Sequence, residues 1–391
     1  MDKYQLPSIN ILEHNVLSEN LSNEEIADNI NIIKKTFEES GIGVKEVKVH
    51  PSLSVSLYEI IPQKGSRLVS LHKMKENMPW ALQNINARIV PNYSYRSSIG
   101  IEIPNKKASS VPIYNILKDA ELLSAGMALP IGLGLDTENL PLILDLRELR
   151  HLLIWGATAQ GKTMLLNTII TSLLFNKKPD ELKFMLYDPK NVEFTSYNRI
   201  KDHYLVKLEE SEPEVIVEDG KFIPNLKLLV NEMYRRLQLL KHAKVDNIEE
   251  FNEHYQGINE TKVHTTTLPY IVVAIDDYAE MILMAGKEVE ANIIKLSQMG
   301  ACVGIHIIMA TQRTTYQFIS GRIKANFPTR ICFRVISDIE SRIILDQPGA
   351  ERLKGQGDML IYHNVTQLKR VQGAVITDSE IESVCQHISA Q

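Results

Sequence analysis

Apolar residues from Ala120 onward fall into short, nearly continuous runs separated by longer stretches with helical spacing. The runs expected to form strands are Leu152–Trp155, Lys183–Tyr187, Tyr270–Ile275, Gly304–Ala310, Arg330–Ile336, Asp358–Tyr362 and Leu368–Ile376. The first five are almost entirely apolar, as strands covered by helices on both faces are. The intervening stretches predict helices, notably over Asn225–His242 and Glu288–Gln298. This alternation indicates a doubly wound α/β domain.

The pattern before residue 118 is mixed and predicts a smaller α+β domain. An amphipathic helix is expected over Glu24–Phe37, where Ser22 and Glu25 have the spacing of a capping box. The other expected elements are strands over Val44–His50, Ser54–Ile60 and Ile99–Ile103 and a helical stretch near Ser70–Gln83, broken by Pro79. We therefore predict two domains, residues 1–117 and residues 118–391.

One segment between a predicted strand and a predicted helix matches the phosphate-loop pattern G-x-x-x-x-G-K-[ST]. Its residues are Gly156, Ala157, Thr158, Ala159, Gln160, Gly161, Lys162 and Thr163. In such a loop the backbone N–H groups and the helix N-terminus face a phosphate chain, the lysine reaches its outer phosphates, and the threonine binds Mg²⁺. The alternative is a glycine-rich turn before a core helix. The strand–loop–helix setting favours an ATP and Mg²⁺ site.

A second polar signal follows the apolar run Tyr270–Ile275, which ends in Asp276 and Asp277. A phosphate-loop enzyme needs a carboxylate near its metal and a neighbour that orients the attacking water. We predict that Asp276 serves the metal together with Thr163, and that Asp277 is the catalytic residue that activates water. The alternative is a solvated strand end with two surface acids.

The run after that ends in Gln312 and Arg313, at the sheet edge where ligands bind in open α/β folds. Gln312 is a candidate catalytic residue that would bond the γ-phosphate or the water. The alternative is a buried amide satisfied by backbone. His306, in the same run, is expected to pack in the strand.

Two further segments are predicted to be irregular. The stretch from Gly132 to Gly134 lacks the third glycine of a dinucleotide fingerprint and is expected to be a turn. The acidic, Pro- and Gly-containing segment Glu209–Lys221 is expected to be a surface loop.

Composition limits the classes of partner. The chain has 391 residues, 44% of them hydrophobic and 23% charged, with a formal net charge of -5. A global basic field is therefore absent, and any nucleic-acid contact must be local. The three cysteines have no C-x-x-C spacing, which favours free thiols in a reducing compartment. No signal peptide and no membrane-length apolar run is visible, so we expect a cytoplasmic protein.

Together the motifs resemble the FtsK/SpoIIIE double-stranded-DNA translocases, members of the RecA-like HerA–FtsK group. Besides the phosphate loop, segments that carry the resemblance include Val49-His-Pro51, Gly100-Ile-Glu-Ile-Pro-Asn-Lys106, Tyr187-Asp-Pro-Lys190, Gly304-Ile-His306, Ala310-Thr-Gln-Arg313 and Gly355-Gln-Gly-Asp-Met359. The resemblance implies a RecA-like P-loop NTPase domain and a smaller N-terminal α domain, as a hexameric ring around duplex DNA with ATP between subunits. The family also has a winged-helix module and a membrane anchor, and we expect neither of them in this chain.

The resemblance further implies that Arg313, Lys324 and Arg342 contact DNA. Cations can follow the phosphate backbone without reading bases. From the residues alone, Lys324 and Arg342 are better explained as solvated surface charges.

Three positions depart from the family pattern. Asp277 stands where the family usually has Glu, Ala301 where it usually has an arginine that acts on the neighbour's ATP, and Asp338 where it has a pore-loop lysine. A shorter acid and a lost arginine both predict slow hydrolysis, or dependence on a partner subunit that supplies the arginine. Arg322 or Arg330 are alternative sources of that charge. The other functional interpretations are an ATP-binding DNA clamp or scaffold with weak hydrolysis, and a motor for conjugative or mobile-element DNA transfer rather than for chromosome segregation.

Overall fold

The computed structural model describes residues 4–14, 21–63, 77–84, 86–93, 98–107, 109–118, 125–208, 212–256, 267–313, 319–363 and 366–391. The strands are β1 (Val44–His50), β2 (Val55–Pro62), β3 (Arg88–Tyr93), β4 (Ser98–Pro104), β5 (Val111–Pro112), β6 (Pro130–Asp136), β7 (Pro141–Asp145), β8 (Leu152–Trp155), β9 (Leu182–Tyr187), β10 (Tyr270–Ile275), β11 (Ile305–Thr311), β12 (Thr329–Phe333), β13 (Asp358–His363) and β14 (Thr366–Val375). The α-helices span Asn23–Glu39, Tyr114–Leu117, Leu146–Leu149, Lys162–Asn176, Lys201–Tyr204, Asp219–Ala243, Ile248–Gln256, Tyr278–Met299, Gly321–Asn326, Asp338–Leu345 and Asp378–Ser389.

The N-terminal region is built on an antiparallel four-stranded sheet in the order β1-β2-β4-β3. Helix Asn23–Glu39 buries Ile33 and Phe37 in the same core as Tyr58 of β2. Ser22 caps this helix by accepting the N–H of Glu25 at 3.1 Å. The Glu25 carboxylate accepts the N–H of Lys106 at 3.1 Å, so it ties the helix to the end of β4. The predicted α+β architecture is confirmed.

The second region is a mixed sheet whose central path runs β7-β6-β14-β13-β12-β8-β11-β10-β9. Strands β12, β8, β11, β10 and β9 are parallel to one another, and β13, β14, β6 and β7 continue the sheet antiparallel. The predicted α/β P-loop fold is confirmed. Because β11 is inserted between β8 and β10, the polar residues after these three strands meet at one edge.

Helix Lys162–Asn176 runs through the middle of the core and fixes the loop before it. Its residues from Leu165 to Leu174 are all buried. Two of the three buried hydroxyls within this stretch bond carbonyls one turn back: Thr168 bonds Met164 at 2.8 Å and Ser172 bonds Thr168 at 2.7 Å. Because this stretch is packed on every side, the helix gives the phosphate loop a rigid base.

Several boundaries differ from the predicted ones. The helix expected from Asn225 begins at Asp219, and the one expected from Glu288 begins at Tyr278 and kinks at Gly286, whose φ is 43°. The first addition contains Gly220 and Pro224, and the second is a largely apolar segment that contains the kink at Gly286; glycine and proline both weaken the prediction of a helix. In the stretch near Ser70–Gln83, residues 77–81 are helical and contain Pro79, while 70–76 lie outside the described residues.

The structure contradicts one prediction of irregular structure and part of another. Gly132 and Gly134 lie in β6, with a bulge between them. Gly134 has a φ of 153°, and a Cβ there would lie 2.0 Å from the Gln372 carbonyl oxygen, so glycine permits the close approach of β14. In the predicted surface loop, Val215 and Ile216 are buried; Ile216 bonds the carbonyl of Leu186 at 2.9 Å and covers the edge of β9. Residues 209–211 of that loop lie outside the described residues.

The domain boundary at residue 117 stays a prediction. Residues of the segment before it, Val111, Ile113 and Ile116, belong to the larger core, and β5 pairs with β14. Leu12 also belongs to the larger core, and the Glu13 N–H donates to Glu380 at 3.0 Å. The N-terminal region is therefore anchored on the larger one at both of its ends.

A buried charge network joins the two sheets. Arg370 of β14 makes a bidentate pair with Asp358 of β13, at 2.7 and 3.0 Å, and also reaches Glu102 of β4 at 3.3 Å. Arg88 of β3 contacts the same Glu102 at 3.1 Å. The side chains of Arg370 and Asp358 are each 1% exposed. Such pairs cost little when complete and much when one partner is removed.

We predict that Arg370→Met lowers the free energy of unfolding by about 3–5 kcal/mol, because Asp358 and Glu102 would each lose a buried partner. Chemical denaturation measures this. Arg199→Met is the matched control, since Arg199 pairs with Glu382 at 3.4 Å in an exposed position and should lose less than about 1 kcal/mol. Equal losses in the two variants would contradict the role assigned to the network.

Two buried histidines lie side by side near the N-terminal ends of β8 and β11. His151 and His306 are both 0% exposed; the N–H of Ile307 donates to His151 Nδ1 at 3.1 Å, and His306 Nδ1 lies 2.7 Å from the Arg150 carbonyl oxygen. Burial lowers the pKa of His151 to about 3, with a further decrease from His306, and burial lowers the pKa of His306 to about 4. His306 is thus a packed residue, as expected.

Both histidines make stability depend on pH. Their folded pKa values lie below the unfolded value of about 6.5, so the unfolded state binds more protons below that pH. Stability is therefore complete above pH 6.5 and declines as the pH falls toward 4, by up to about 1.4 kcal/mol per pH unit for each histidine. The variant His151→Asn/His306→Asn should flatten this dependence in denaturation experiments. The exposed control His242→Asn should not, and a wild-type slope in the double variant would refute the assignment.

Candidate nucleotide-binding site

The phosphate loop has the conformation its sequence predicts. It follows β8, and Gly161 caps helix Lys162–Asn176 with a φ of 124°. A Cβ at Gly161 would lie 2.9 Å from Phe333 Cε1 and 3.1 Å from Gly357 Cα, so only glycine fits there. Lys162 Nζ donates to the carbonyls of Gly156 and Ala157 at 2.7 and 2.8 Å. Burial lowers the pKa of Lys162 to about 8, against the opposing effect of Asp276.

The two carboxylates after β10 lie opposite the loop. Asp277 is 3% exposed, and its Oδ2 accepts from Lys190 Nζ at 3.1 Å and from Gln312 Nε2 at 3.0 Å. Asp277 Oδ1 is buried and has no hydrogen-bond partner among the described residues. Burial raises the pKa of Asp276 to about 6, and Glu193 raises it further. A cation would favour the ionised form of Asp276 and satisfy the unpaired oxygen of Asp277.

Gln312 connects the phosphate loop to the carboxylates. Its Oε1 accepts the hydroxyl of Thr158 at 2.9 Å, while its Nε2 donates to Asp277. The order of the strands explains this contact, because β11 lies between β8 and β10. The alternative of an amide satisfied by backbone does not match these two side-chain bonds.

Lys190 and Glu193 also face the site, although neither was predicted to belong to it. Both follow β9 and line a cavity of ≈ 480 Å³ with the loop, Asp276, Asp277 and Gln312. Asp188 is fully buried, and its Oδ2 accepts the N–H groups of Val192, Glu193 and Phe194 at 2.8–3.0 Å. This carboxylate fixes the loop that presents Lys190 and Glu193. Polar residues directly after a buried parallel strand are the signal that points to them.

A second cavity, of ≈ 510 Å³, lies on the other side of the phosphate loop. It has a more apolar wall, formed by Met164, Leu165, Phe333 and the glycines Gly355 and Gly357. The loop therefore separates a charged cavity from one suited to a planar organic group.

These features fit Mg²⁺ and a nucleoside triphosphate. Thr163 and Asp276 are oxygen donors at the positions that P-loop proteins use for the metal, and Asp277 contributes a buried, unpaired carboxylate oxygen. The glycine cradle at Gly161 leaves the backbone of the loop open to a phosphate chain. Among the described residues, no group of three or more His, Cys, Asp or Glu side chains is arranged to hold a metal ion, so Mg²⁺ here would depend on few protein ligands and on the phosphates themselves.

The candidate DNA contacts lie apart from this cavity. Arg313 is exposed just beyond β11. Lys324 Nζ bonds Asp346 Oδ1 at 2.6 Å, and Arg342 lies 3.4 Å from Asp338. Asp346 caps the helix that carries Arg342, so Lys324 and Arg342 lie near one another. Their role in binding DNA stays a prediction.

Arg330 does not fit its predicted alternative role as a charge donated to a neighbour's ATP. It is 7% exposed, donates to Asp346 Oδ2 and to the Ile344 carbonyl, both at 2.7 Å, and lies over the ring of Tyr362. These contacts use its guanidinium within the subunit. Arg322 is exposed and stays a candidate.

Comparison with protein families decides the identity of the chain. Residues 112–315 match the model of the FtsK/SpoIIIE family, and residues 6–105 match the FtsK alpha domain. The chain belongs to the FtsK/SpoIIIE family. The resemblance inferred from the motifs is confirmed.

Curated relatives cover the whole chain. It is 38% identical over 393 residues to the DNA translocase FtsK of Halalkalibacterium halodurans, an alignment that spans 100% of this chain and 49% of the relative. It is 37% identical over 391 residues to the DNA translocase SpoIIIE of Bacillus subtilis, spanning 99% and 49%. The chain thus spans about half the length of these relatives.

Solved structures support the fold. The monomer form of the pCW3 conjugation coupling protein TcpA with ATPγS superimposes with a TM-score of 0.61 at 20% identity, over 92% of this chain and 99% of that one. The cytoplasmic domain of the Thermomonospora curvata secretion ATPase EccC gives 0.60 at 21% identity, over 73% and 35%.

Two smaller predictions can also be compared with the structure. Cys302, Cys332 and Cys385 are free, and the latter two are buried. No helix in the described parts of the chain has the length and apolar character needed to cross a bilayer.

We predict that Asp188→Asn weakens binding of Mg²⁺–nucleotide and lowers the free energy of unfolding by about 1–3 kcal/mol, because an amide cannot replace a carboxylate that accepts several N–H groups. Nucleotide titration and denaturation measure the two effects. Asp136→Asn is the control, since Asp136 accepts the N–H groups of Glu138 and Leu140 in an exposed turn. Unchanged nucleotide affinity in Asp188→Asn would show that its loop does not shape the site.

Proposed function

We propose that this chain is the motor of an ATP-driven double-stranded-DNA translocase that acts as a hexameric ring around the duplex. The observation that carries the proposal is the hydrogen-bonded connection from Thr158 through Gln312 to Asp277 and Lys190. It joins the ends of four parallel strands around one cavity, in a chain of the FtsK/SpoIIIE family. A shift in one of these strand ends when the nucleotide binds can therefore be transmitted to the other three.

The residues divide the work of binding and hydrolysis. The loop from Gly156 to Gly161 holds the phosphates through its N–H groups, while Lys162 exchanges its bonds to the loop carbonyls for bonds to the phosphates. Thr163 and Asp276 would hold Mg²⁺, which would supply positive charge to the phosphates. The more apolar cavity beside Met164 and Phe333 accommodates the base.

Asp277 orients the attacking water, and Gln312 responds to the γ-phosphate. Both act from buried or half-buried positions, where charges interact more strongly than in bulk water. Asp277 is held by Lys190 and Gln312 on one oxygen, which fixes the position of its carboxylate beside the cavity. Arg313, Lys324 and Arg342 contact the DNA backbone through their positive charge. Breaking the pair between Lys324 and Asp346 costs little because Asp346 is 56% exposed.

A second function, an ATP-dependent DNA clamp with weak hydrolysis, is favoured by two residues. Asp277 is one methylene shorter than glutamate and is held back by Lys190, and Ala301 has no charge to offer a neighbour's ATP. Both residues predict that the homomer hydrolyses ATP slowly or requires an arginine from a partner subunit. The likeness to a conjugation coupling protein concerns the fold and does not choose between chromosomal and mobile-element DNA.

We predict that the homomer hydrolyses ATP slowly and that Asp277→Glu raises turnover by about tenfold to a hundredfold, because a displacement of about 1 Å can cost a hundredfold in rate. Turnover is measured with and without duplex DNA. The control Asp277→Asn keeps the shape and removes the charge, and should abolish turnover.

Two outcomes would contradict this account. Fast, duplex-stimulated hydrolysis by the wild-type homomer would show that Asp277 and Ala301 do not limit the rate. If Asp277→Glu restores hydrolysis, but its turnover does not depend on duplex DNA and the protein does not move along DNA, the proposed translocase activity is itself contradicted.

A further inference from the structure

The more apolar of the two cavities beside the phosphate loop is lined partly by the N-terminal region. Ser54, directly before β2, and Ser109, after β4, line this cavity of ≈ 510 Å³ together with Gln372 of β14. Met164 and Phe333 form part of its apolar wall. The cavity therefore has an apolar part suited to the faces of a planar ring and a polar part suited to the edge of that ring.

Two hydrogen bonds fix the side-chain amide of Gln372. The Ser54 hydroxyl donates to Gln372 Oε1 at 2.6 Å, and Gln372 Nε2 donates to the carbonyl oxygen of Gln356 at 2.9 Å. Because a carbonyl oxygen only accepts, the amide nitrogen and oxygen of Gln372 cannot exchange places. Ser54 is 2% exposed, and its own carbonyl accepts the N–H of Asn105 at 2.8 Å, so the N-terminal region holds the amide in one orientation.

These two bonds use half of what the amide of Gln372 can donate and accept. Its nitrogen has two hydrogens and its oxygen two lone pairs, and each atom makes one bond to a described residue. One donor and one acceptor therefore remain on neighbouring atoms of a side chain that lines the cavity. Such a pair matches the N7 acceptor and the N6 amino group of adenine, whereas guanine presents two acceptors, N7 and O6.

The wall that contains Gln372 is bonded to the phosphate loop. The N–H of Gly357 donates to the Gln160 carbonyl at 3.0 Å, and the N–H of Gly373 donates to the Gly357 carbonyl at 2.8 Å. Gly161 of the phosphate loop lines both this cavity and the charged one. A single ligand can therefore extend from the charged cavity into the one that Gln372 lines.

We propose that Gln372 is a specificity-determining residue that selects adenine over guanine, and that Ser54 of the N-terminal region orients its amide for this purpose. Gln372 Nε2 donates to N7 of the base, and Gln372 Oε1 accepts from the N6 amino group. Guanine in the same place would set its O6 against Oε1, and the bonds to Ser54 and Gln356 prevent the amide from turning over to relieve that repulsion. The inference rests on the proposed nucleotide-binding function and makes the N-terminal region part of base recognition.

Calorimetric titration with ATPγS, GTPγS and tripolyphosphate in millimolar Mg²⁺ tests the proposal. The wild-type chain should bind ATPγS about 5- to 150-fold more tightly than GTPγS, which is the discrimination that one bidentate pair provides. Gln372→Ala should remove this preference and leave the affinity for tripolyphosphate, which has no base, unchanged. Ser54→Ala should weaken the preference less, because the bond to Gln356 remains; it also provides the test if the Gln372 variant does not fold. Gln386→Ala is the matched control, since Gln386 is an exposed glutamine of the C-terminal helix that lines neither cavity.

The ligand without a base separates base recognition from a purely structural role. If Gln372→Ala lowers the affinity for all three ligands equally, Gln372 only holds the Gly355–Gly357 turn against the phosphate loop, and the proposal is overturned. Equal affinity of the wild-type chain for the two nucleotides, or an unchanged preference in Gln372→Ala, would overturn it as well. If the wild-type chain binds none of the three ligands, the proposed function fails instead.

Discussion

The carboxylate of Asp277 is the interaction on which the candidate site depends. One of its oxygens accepts from both Lys190 and Gln312, and Gln312 in turn bonds Thr158 of the phosphate loop. Because these residues follow β10, β9, β11 and β8, a single buried charge ties the ends of four strands together. A buried carboxylate needs such partners, since an isolated one would be expensive to keep charged. The same bonds that stabilise Asp277 also fix the groups that line the candidate phosphate site.

The rest of the fold serves to hold these strand ends in position. Helix Lys162–Asn176 is buried along its length and cannot shift without disturbing the core on several sides. The pairing of Arg370 with Asp358 and Glu102 links the antiparallel part of the large sheet to the N-terminal sheet. Asp358 also accepts the N–H of Lys354, whose loop lines the cavity beside the phosphate loop. The N-terminal region is thus connected to the nucleotide site by buried charges.

Much of this arrangement could be predicted from the sequence. The apolar runs gave the parallel strands, and the loop from Gly156 to Thr163 together with Asp276 and Asp277 gave the center of the site, because strand ends in such a sheet share one edge. Glu193 follows a buried parallel strand, but its exact place in the cavity depends on the three N–H groups that donate to Asp188, and the sequence does not show these bonds. The sequence predicts a turn at Gly134. The structural requirement for glycine there is the close approach of Gln372, a long-range contact that the local sequence does not show. The role of Arg330 was equally hard to predict, since its ion pair with Asp346 depends on the fold.

The central claim is that the loop after β8 and the carboxylate of Asp276 together hold a Mg²⁺–nucleoside triphosphate. Calorimetric titration of the purified chain with ATPγS in millimolar Mg²⁺ tests it most directly. The account predicts saturable binding of one nucleotide per chain, which weakens when Mg²⁺ is chelated and disappears in Lys162→Ala. A folded chain that binds no adenine nucleotide at millimolar concentrations would contradict it.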